Sequence, residues 1–522
     1  MKNIESNRTE RRCALPQATL ENDPDAFTAW LESAPELLAA RVDESVTEAR
    51  CENPLADGYR KLSHAQGQSA KDLFTPLAAR VDLELGPGVV QAVGEDRAGF
   101  LAAGFPAAGL RDAFRLSPKR LKVGVLVDSG VGRAAVHLVD SIVKRHTLLA
   151  TKSGASRRDD GRLDGLDIQL IPNGFRGLAT DAGVDIDFRM TDRAARTDAP
   201  IEQLVEGGRE ASSRGGASML WKDSELQPAK LAEKAADRRY DILYAIGGPE
   251  TLENASRVAE QVNGADRAFV PVIGVPAGAS WEAPFSGRPA GFSSAANQCV
   301  GLIKMFHERV AANGGIGIVT VPGRRSGHLA FQAGYASGEA DYVLLPEMFD
   351  SGRSGRQLDS AAQRLTDRFL KHGHALAVVS EGALRLARSE GESTGDDVTW
   401  LEERLRSGAA GSLPPGVEIR FSRFNAGDLL DAAPLTADDV FLAKQMGTLS
   451  VESALAGFGG CYVSQWRDRF MLVPLSLVGR IVHNLHLGDH AYLSMAGKYL
   501  LNTYGSGGVA PDATPDEFEF FF

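Results

Sequence analysis

The residues of this 522-residue chain that could do chemistry lie in several short loops. Ile246-Gly247-Gly248-Pro249-Glu250-Thr251-Leu252 follows an apolar run and leads into a helical pattern over 253–262. Glycine pairs let backbone approach a phosphate, and a helix N-terminus offers free N–H donors. Taken alone, such a turn is as readily structural. A second loop runs Val272-Ile273-Gly274-Val275-Pro276-Ala277-Gly278-Ala279-Ser280-Trp281-Glu282 and carries a hydroxyl and a carboxylate. A serine without a neighbouring base accepts no proton at neutral pH. A third, Val321-Pro322-Gly323-Arg324-Arg325-Ser326-Gly327-His328-Leu329-Ala330, brings cations suited to anion binding. Leu344-Leu345-Pro346-Glu347 and Val378-Val379-Ser380-Glu381-Gly382-Ala383 complete the series.

The elements that must position these loops are short Val- and Ile-rich runs: 122–127, 167–171, 241–246, 269–275, 315–321, 341–345 and 375–379. Continuous apolar strands separated by helical stretches predict an α/β fold, with parallel sheets covered by helices on both faces. Ligands in such folds bind beyond the carboxyl ends of strands, where these loops fall. Residues 1–118 contain no strong strand run and read as a mainly helical N-terminal extension, with a helix opening at Asp23-Pro24-Asp25. The main body divides into an α/β lobe over 119–308 and a second over 309–522. Residues 387–416 are polar and Gly/Ser-rich, which predicts an exposed insertion. The tail from Asp516 mixes acids with four phenylalanines, suiting either a tucked tail or a docking peptide.

Bulk composition narrows the function classes. Lys plus Arg number 57 and Asp plus Glu 68, so the formal charge is 57 − 68 = −11. That balance argues against nucleic acid as a partner, which would require a basic face. No apolar run of about 18 residues predicts a membrane span. The first residues lack the apolar core of a secretory leader, and the four cysteines form no CxxC pair. A cytoplasmic protein with reduced thiols is the expectation.

Taken together and in this order, the loops resemble those of the phosphofructokinase family. The family's segments read GGDGT or GGDDS, GxPKTIDND, GFxTA, MGRxSGxxA, a PE pair and VxEGA. Ala290-Gly291-Phe292-Ser293-Ser294-Ala295 corresponds to the third of these. Upstream, Asn173-Gly174-Phe175-Arg176-Gly177-Leu178 is similar to NGYxGL, and Ser213-Arg214-Gly215-Gly216 to TSRGG. Downstream, Gly457-Phe458-Gly459-Gly460 and Val473-Pro474-Leu475 resemble the long bacterial, plant and protist branch. The resemblance covers roughly 119–485. It implies a two-lobed fold, a phosphorylated small-molecule ligand, ATP or pyrophosphate as phosphoryl donor with Mg2+, and a homodimer or homotetramer.

Carried over residue by residue, the resemblance assigns Arg324, Glu347 and Gly323 to the sugar phosphate. It assigns Gly130, Arg214, Gly247 and Gly248 to the donor phosphates. The catalytic positions depart from the pattern. Pro249 stands in place of the metal-associated aspartate, leaving the adjacent Glu250 as the candidate metal ligand. Ser280 stands where the family's base aspartate falls, and Glu282 where that motif's last aspartate falls, so these two are the candidate catalytic residues. In the first glycine-rich loop, Asp128 puts a negative charge where donor phosphates approach, while Arg133 supplies a positive one. A looser match puts Asp431 where the long branch carries a phosphate-binding arginine; a carboxylate there repels a sugar phosphate. Losing a general base typically costs about 10²–10⁴-fold in rate. Two readings stay open: a redirected phosphotransferase, 6-phosphofructokinase-like, with an altered site, and a non-catalytic sensor or regulatory subunit that keeps the pocket.

Overall fold

Val- and Ile-rich runs in this sequence become strands buried on both faces, and helices cover each face. The computed structural model describes residues 15–16, 121–152, 165–181, 183–185, 228–262, 270–283, 286–349, 354–388, 396–430, 433–455, 459–466, 469–475, 478, 481–483 and 485. Arg214, Asp431, the expected helix after Asp23 and the Phe-rich tail lie outside the described residues. The chain forms two compact units. One spans Met1–Gly278, Ala283–Phe292 and Pro434–Val482; the other spans Ala279–Glu282, Ser293–Ala433 and His483–Phe522.

The first unit is built on β1 (Leu121–Val127), α1 (Ala134–Lys152), β2 (Leu166–Pro172), α2 (Gly174–Ala179), β3 (Val184–Asp185), α3 (Pro228–Asp237), β4 (Ile242–Gly247), α4 (Pro249–Val262) and β5 (Val272–Pro276). The hairpin Cys461–Trp466/Arg469–Pro474 extends the sheet beyond β5. From that hairpin the order continues β5-β4-β1-β2-β3, with β1, β2, β4 and β5 parallel. Alternation along β1 divides the core. Val123, Val125 and Val127 join α1 and helix Ala437–Leu455 on one face. Leu126 points to the other face, with Leu231 of α3 and Leu252 of α4. Each fully buried Val, Leu or Ile contributes roughly 1.5–3 kcal/mol. β1 and β4 are neighbours whose following connections run to opposite sides of the sheet. Crevices at such reversals are where ligands enter folds of this class.

The second unit contains α5 (Phe292–Asn313), β6 (Gly315–Val321), α6 (His328–Ser337), β7 (Tyr342–Leu344), α7 (Ser354–His372), β8 (His374–Ser380), α8 (Glu381–Ala387), α9 (Asp397–Ala409) and β9 (Phe421–Asn425). Its four strands are all parallel, in the order β9-β6-β8-β7. Ile316, Ile318, Ala375, Ala377 and Val379 face α7, α8 and α9. On the opposite face α5 approaches closely at Gly317, where an added Cβ would lie 2.7 Å from Val310 Cγ2.

The polar segment 387–416 differs from the exposed insertion its composition suggests, because α9 lies within it. Trp400, Leu401, Leu405 and Ala409 form a buried stripe on that helix, while most of its other positions are polar. Asp396 caps it, accepting the Thr399 N–H at 2.7 Å. Average polarity over a window conceals a single apolar stripe.

Candidate functional site

In the first unit, the parallel pairing Val127–Ile246 sets the ends of β1 and β4 side by side. Asp128 extends the ladder by donating its N–H to the Ile246 carbonyl at 2.9 Å. The next residues, Ser129–Val131, make a 3₁₀ turn that leaves Gly130 exposed. Gly247 closes β4, Gly248 forms the turn, and Pro249 opens α4 at the position where a missing N–H costs nothing. Gly247 has no room for a side chain, since an added Cβ would lie 2.4 Å from Thr251 Oγ1. Thr251 uses that proximity to donate its hydroxyl to Asp128 Oδ2 at 2.9 Å. Gly278, at the end of the β5 loop, comes close to the same turn: a Cβ on it would lie 3.0 Å from the Gly130 carbonyl. The structure therefore brings Gly130, Gly247 and Gly248 together with Asp128. Glu250 is exposed in the first turn of α4.

In the second unit, the loop after β6 holds Gly323, Arg324 and Gly327. Gly323 has φ +148 and accepts from Ser380 Oγ and Gly382 N–H, each at 2.7 Å. Glu282 is 3% exposed; its Oε1 accepts the N–H groups of Arg324 at 2.8 Å and Arg325 at 2.9 Å. Its Oε2 faces Arg325 Nε at 3.4 Å. Glu347 grips the other end of the loop. Gly327 N–H reaches its two oxygens at 2.9 and 3.1 Å, and Leu485 N–H adds a bond to Oε1 at 2.9 Å. Two carboxylates thus hold the five-residue turn through its backbone, and Arg324 stands exposed at its tip.

Ser280 is half-buried in the segment leading to Glu282. Between them, Trp281 packs its ring at 4.7 Å from His328 and 4.8 Å from His483, whose rings stack on each other at 4.6 Å. Burial holds the His328 imidazole well below its ordinary pKa and brings His483 down to about 4, so both are neutral near pH 7. Neither histidine is a proton donor there. Burial pushes the Glu347 carboxyl up to about 7, against the opposing bonds from Gly327 and Leu485.

Of the sequence-derived candidates, Ser280 and Glu282 lie in one unit with Arg324, Glu347 and Gly323, while Gly130, Gly247, Gly248 and Glu250 lie in the other. Thr251, Ser380 and the ring cluster of Trp281, His328 and His483 join the site residues, although the sequence assigned none of them a role in binding or chemistry. All of them except His483 lie in loops already marked in the sequence. Asp128 and Glu250 put two carboxylates at the Gly-Gly turn, and Mg2+ held largely through donor phosphates needs no more than one or two. Pro249 has no side-chain oxygen, and no group of three or more His, Cys, Asp or Glu suited to a metal occurs among the described residues.

An ATP-dependent 6-phosphofructokinase of Entamoeba histolytica is 25% identical over 293 residues, covering 54% of this chain and 65% of that protein. An ATP-dependent 6-phosphofructokinase of Amycolatopsis methanolica is 28% identical over 395 residues, covering 73% of this chain and 78% of that protein. The Trypanosoma brucei brucei enzyme of the same description is 27% identical, with 56% of its length matched. The chain thus spans less than two thirds of the length of two of these three relatives. In fold, the chain is similar to the crystal structure of a pyrophosphate-dependent phosphofructokinase from Marinobacter aquaeolei, with a TM-score of 0.51 and 18% identity, covering 75% of this chain and 93% of that one. The phosphofructokinase family model matches residues 160–454, more than half of the sequence, and the chain belongs to the phosphofructokinase family.

Proposed function

We propose that this protein binds a phosphorylated small molecule of the sugar-phosphate class through the Arg324 loop and transfers phosphoryl groups slowly or not at all. The observation that carries this reading is the placement of Glu282. It is the carboxylate nearest in sequence to Ser280, and it is buried and occupied by the Arg324 and Arg325 N–H groups. A general base must reach the hydroxyl it deprotonates, and phosphoryl transfer depends on charge neutralisation at the donor. Pro249 offers neither charge nor ligand oxygen. Arg324, exposed on a rigid turn, keeps what binding a phosphate requires. Glu347 and Gly323 shape that turn.

Titration calorimetry of the whole chain with fructose 6-phosphate, paired with a turnover assay containing ATP or pyrophosphate and Mg2+, tests the proposal. Binding that Arg324→Ala weakens roughly ten- to hundredfold, with turnover at least about 10²-fold below what a general base would give, is the expected result. Robust turnover, or no binding of any sugar phosphate, overturns it.

The relatives' descriptions as 6-phosphofructokinases favour a second reading, an active phosphotransferase with a rearranged site. In it Ser280 and Glu282 serve the acceptor, Glu250 attends the metal, and the Gly130, Gly247 and Gly248 turns take ATP or pyrophosphate. Turnover that survives Ser280→Ala removes that serine from the chemistry. A homodimer or homotetramer in a reducing compartment fits either reading; Cys299 and Cys461 are buried free thiols.

A further inference from the structure

The crevice between the ends of β1 and β4 has the backbone of an anion cradle. It lies where the sheet connections diverge, it is bordered by two glycine turns, and α4 begins there. An added Cβ would meet nothing within 4 Å at Gly130 or at Gly248, so both turns border open space. The first N–H groups of a helix have no intrahelical partner and carry partial positive charge. Yet the crevice carries its own anion. Asp128 is fixed at its backbone by the N–H bond to Ile246 and at its side chain by the Thr251 hydroxyl, both at 2.9 Å. The room that Gly247 leaves for Thr251 is what permits the second bond.

We propose that Asp128 is a specificity-determining residue that closes this crevice to polyphosphate anions. A carboxylate held by the Thr251 hydroxyl on a backbone fixed to β4 is restrained from swinging away when another anion approaches. The repulsion at contact distance is worth about a hundredfold or more in affinity when only partly screened. The inference rests on the reading above in taking the glycine turns as the donor-side surface. It concerns a different unit from the Arg324 loop, so the two fail separately.

The test is titration calorimetry of the full chain with pyrophosphate and with ATP, each with and without Mg2+, on the native protein, Asp128→Asn and Asp128→Gly. Fructose 6-phosphate, titrated into the same samples, reports on the Arg324 loop. The native protein is expected to bind neither anion measurably, while both variants gain at least about tenfold in affinity and keep their response to the sugar phosphate. Asp128→Ser replaces the glycine variant if circular dichroism shows that one to be unfolded. Folded variants that gain nothing overturn the proposal. So does native binding of Mg2+-pyrophosphate or Mg2+-ATP that Asp128→Asn destroys, because Asp128 would then be a metal ligand.

Discussion

Glu282 and Arg324 stand 42 positions apart, and the carboxylate of the first accepts the backbone N–H of the second at 2.8 Å. The same oxygen takes the Arg325 N–H at 2.9 Å. A carboxylate in this place acts on the shape of the anion-binding turn. Removing it strands two N–H donors, each costing about 1–3 kcal/mol when buried without a partner. Glu282→Ala is therefore expected to lower unfolding stability by about 3 kcal/mol and to weaken sugar-phosphate binding along with it. Denaturant unfolding read beside calorimetry checks this. A variant of native stability that lost only turnover would return Glu282 to the chemistry.

Arg324 carries the opposite expectation. Its side chain is exposed, and the turn beneath it is held through backbone atoms, so truncation leaves the fold intact. A charge-assisted bond to phosphate contributes about 1.5–3 kcal/mol, so Arg324→Ala is expected to lose roughly ten- to hundredfold in fructose 6-phosphate affinity with its melting temperature unchanged. Arg324→Lys keeps the charge and loses the fork, and it should recover only part of the affinity. Full affinity in the alanine variant would move the phosphate elsewhere.

Gly382 measures how tightly the turn is packed. A Cβ there would lie 1.9 Å from the Arg324 carbonyl, and the Gly382 N–H donates to the Gly323 carbonyl at 2.7 Å. Because the obstacle is backbone, Gly382→Ala must displace the Arg324 turn or the start of α8. The expected cost is about 1–3 kcal/mol, accompanied by weaker ligand binding. A native melting curve and native affinity together would show that the turn yields to an added methyl group.

The strands were legible because burial on both faces leaves uninterrupted apolar runs. The run expected at 315–321 is β6 itself, and that at 375–379 is β8 without its end residues. The Gly-Gly turn marked a helix start, but α4 begins at Pro249, four residues before the 253 its apolar pattern gave. Glu282 resisted such reading, since its partners are backbone groups 42 and 43 residues away that no side-chain pattern advertises. The Trp281 ring cluster joins three separated segments and is equally silent in sequence. α9 was hidden by averaging, its buried stripe diluted among Glu, Arg and Ser.

Glu347 makes the second unit sensitive to pH, and the sign follows from its two states. In the unfolded chain its carboxyl titrates near the ordinary 4.5; in the folded chain burial raises it to about 7. The negative charge of Glu282 adds to the rise, while the N–H groups of Gly327 and Leu485 oppose it. Between those two values the folded protein retains a proton that the unfolded chain releases, so the contribution favours folding in acid. It is complete below about 4.5, declines as pH climbs toward 7, and is spent above that. Glu347→Gln removes the titration while keeping an oxygen for the Gly327 N–H. The stability difference, native minus variant, is expected to fall by on the order of 2 kcal/mol from pH 4.5 to 7.5; the figure is below the full shift because the side chain is only half-buried. Urea unfolding at half-unit pH steps follows the difference directly, and all other titrating groups cancel between the two proteins. A difference that stays level, or that rises with pH, would mean that the Gly327 and Leu485 bonds outweigh burial and hold the carboxylate ionised throughout.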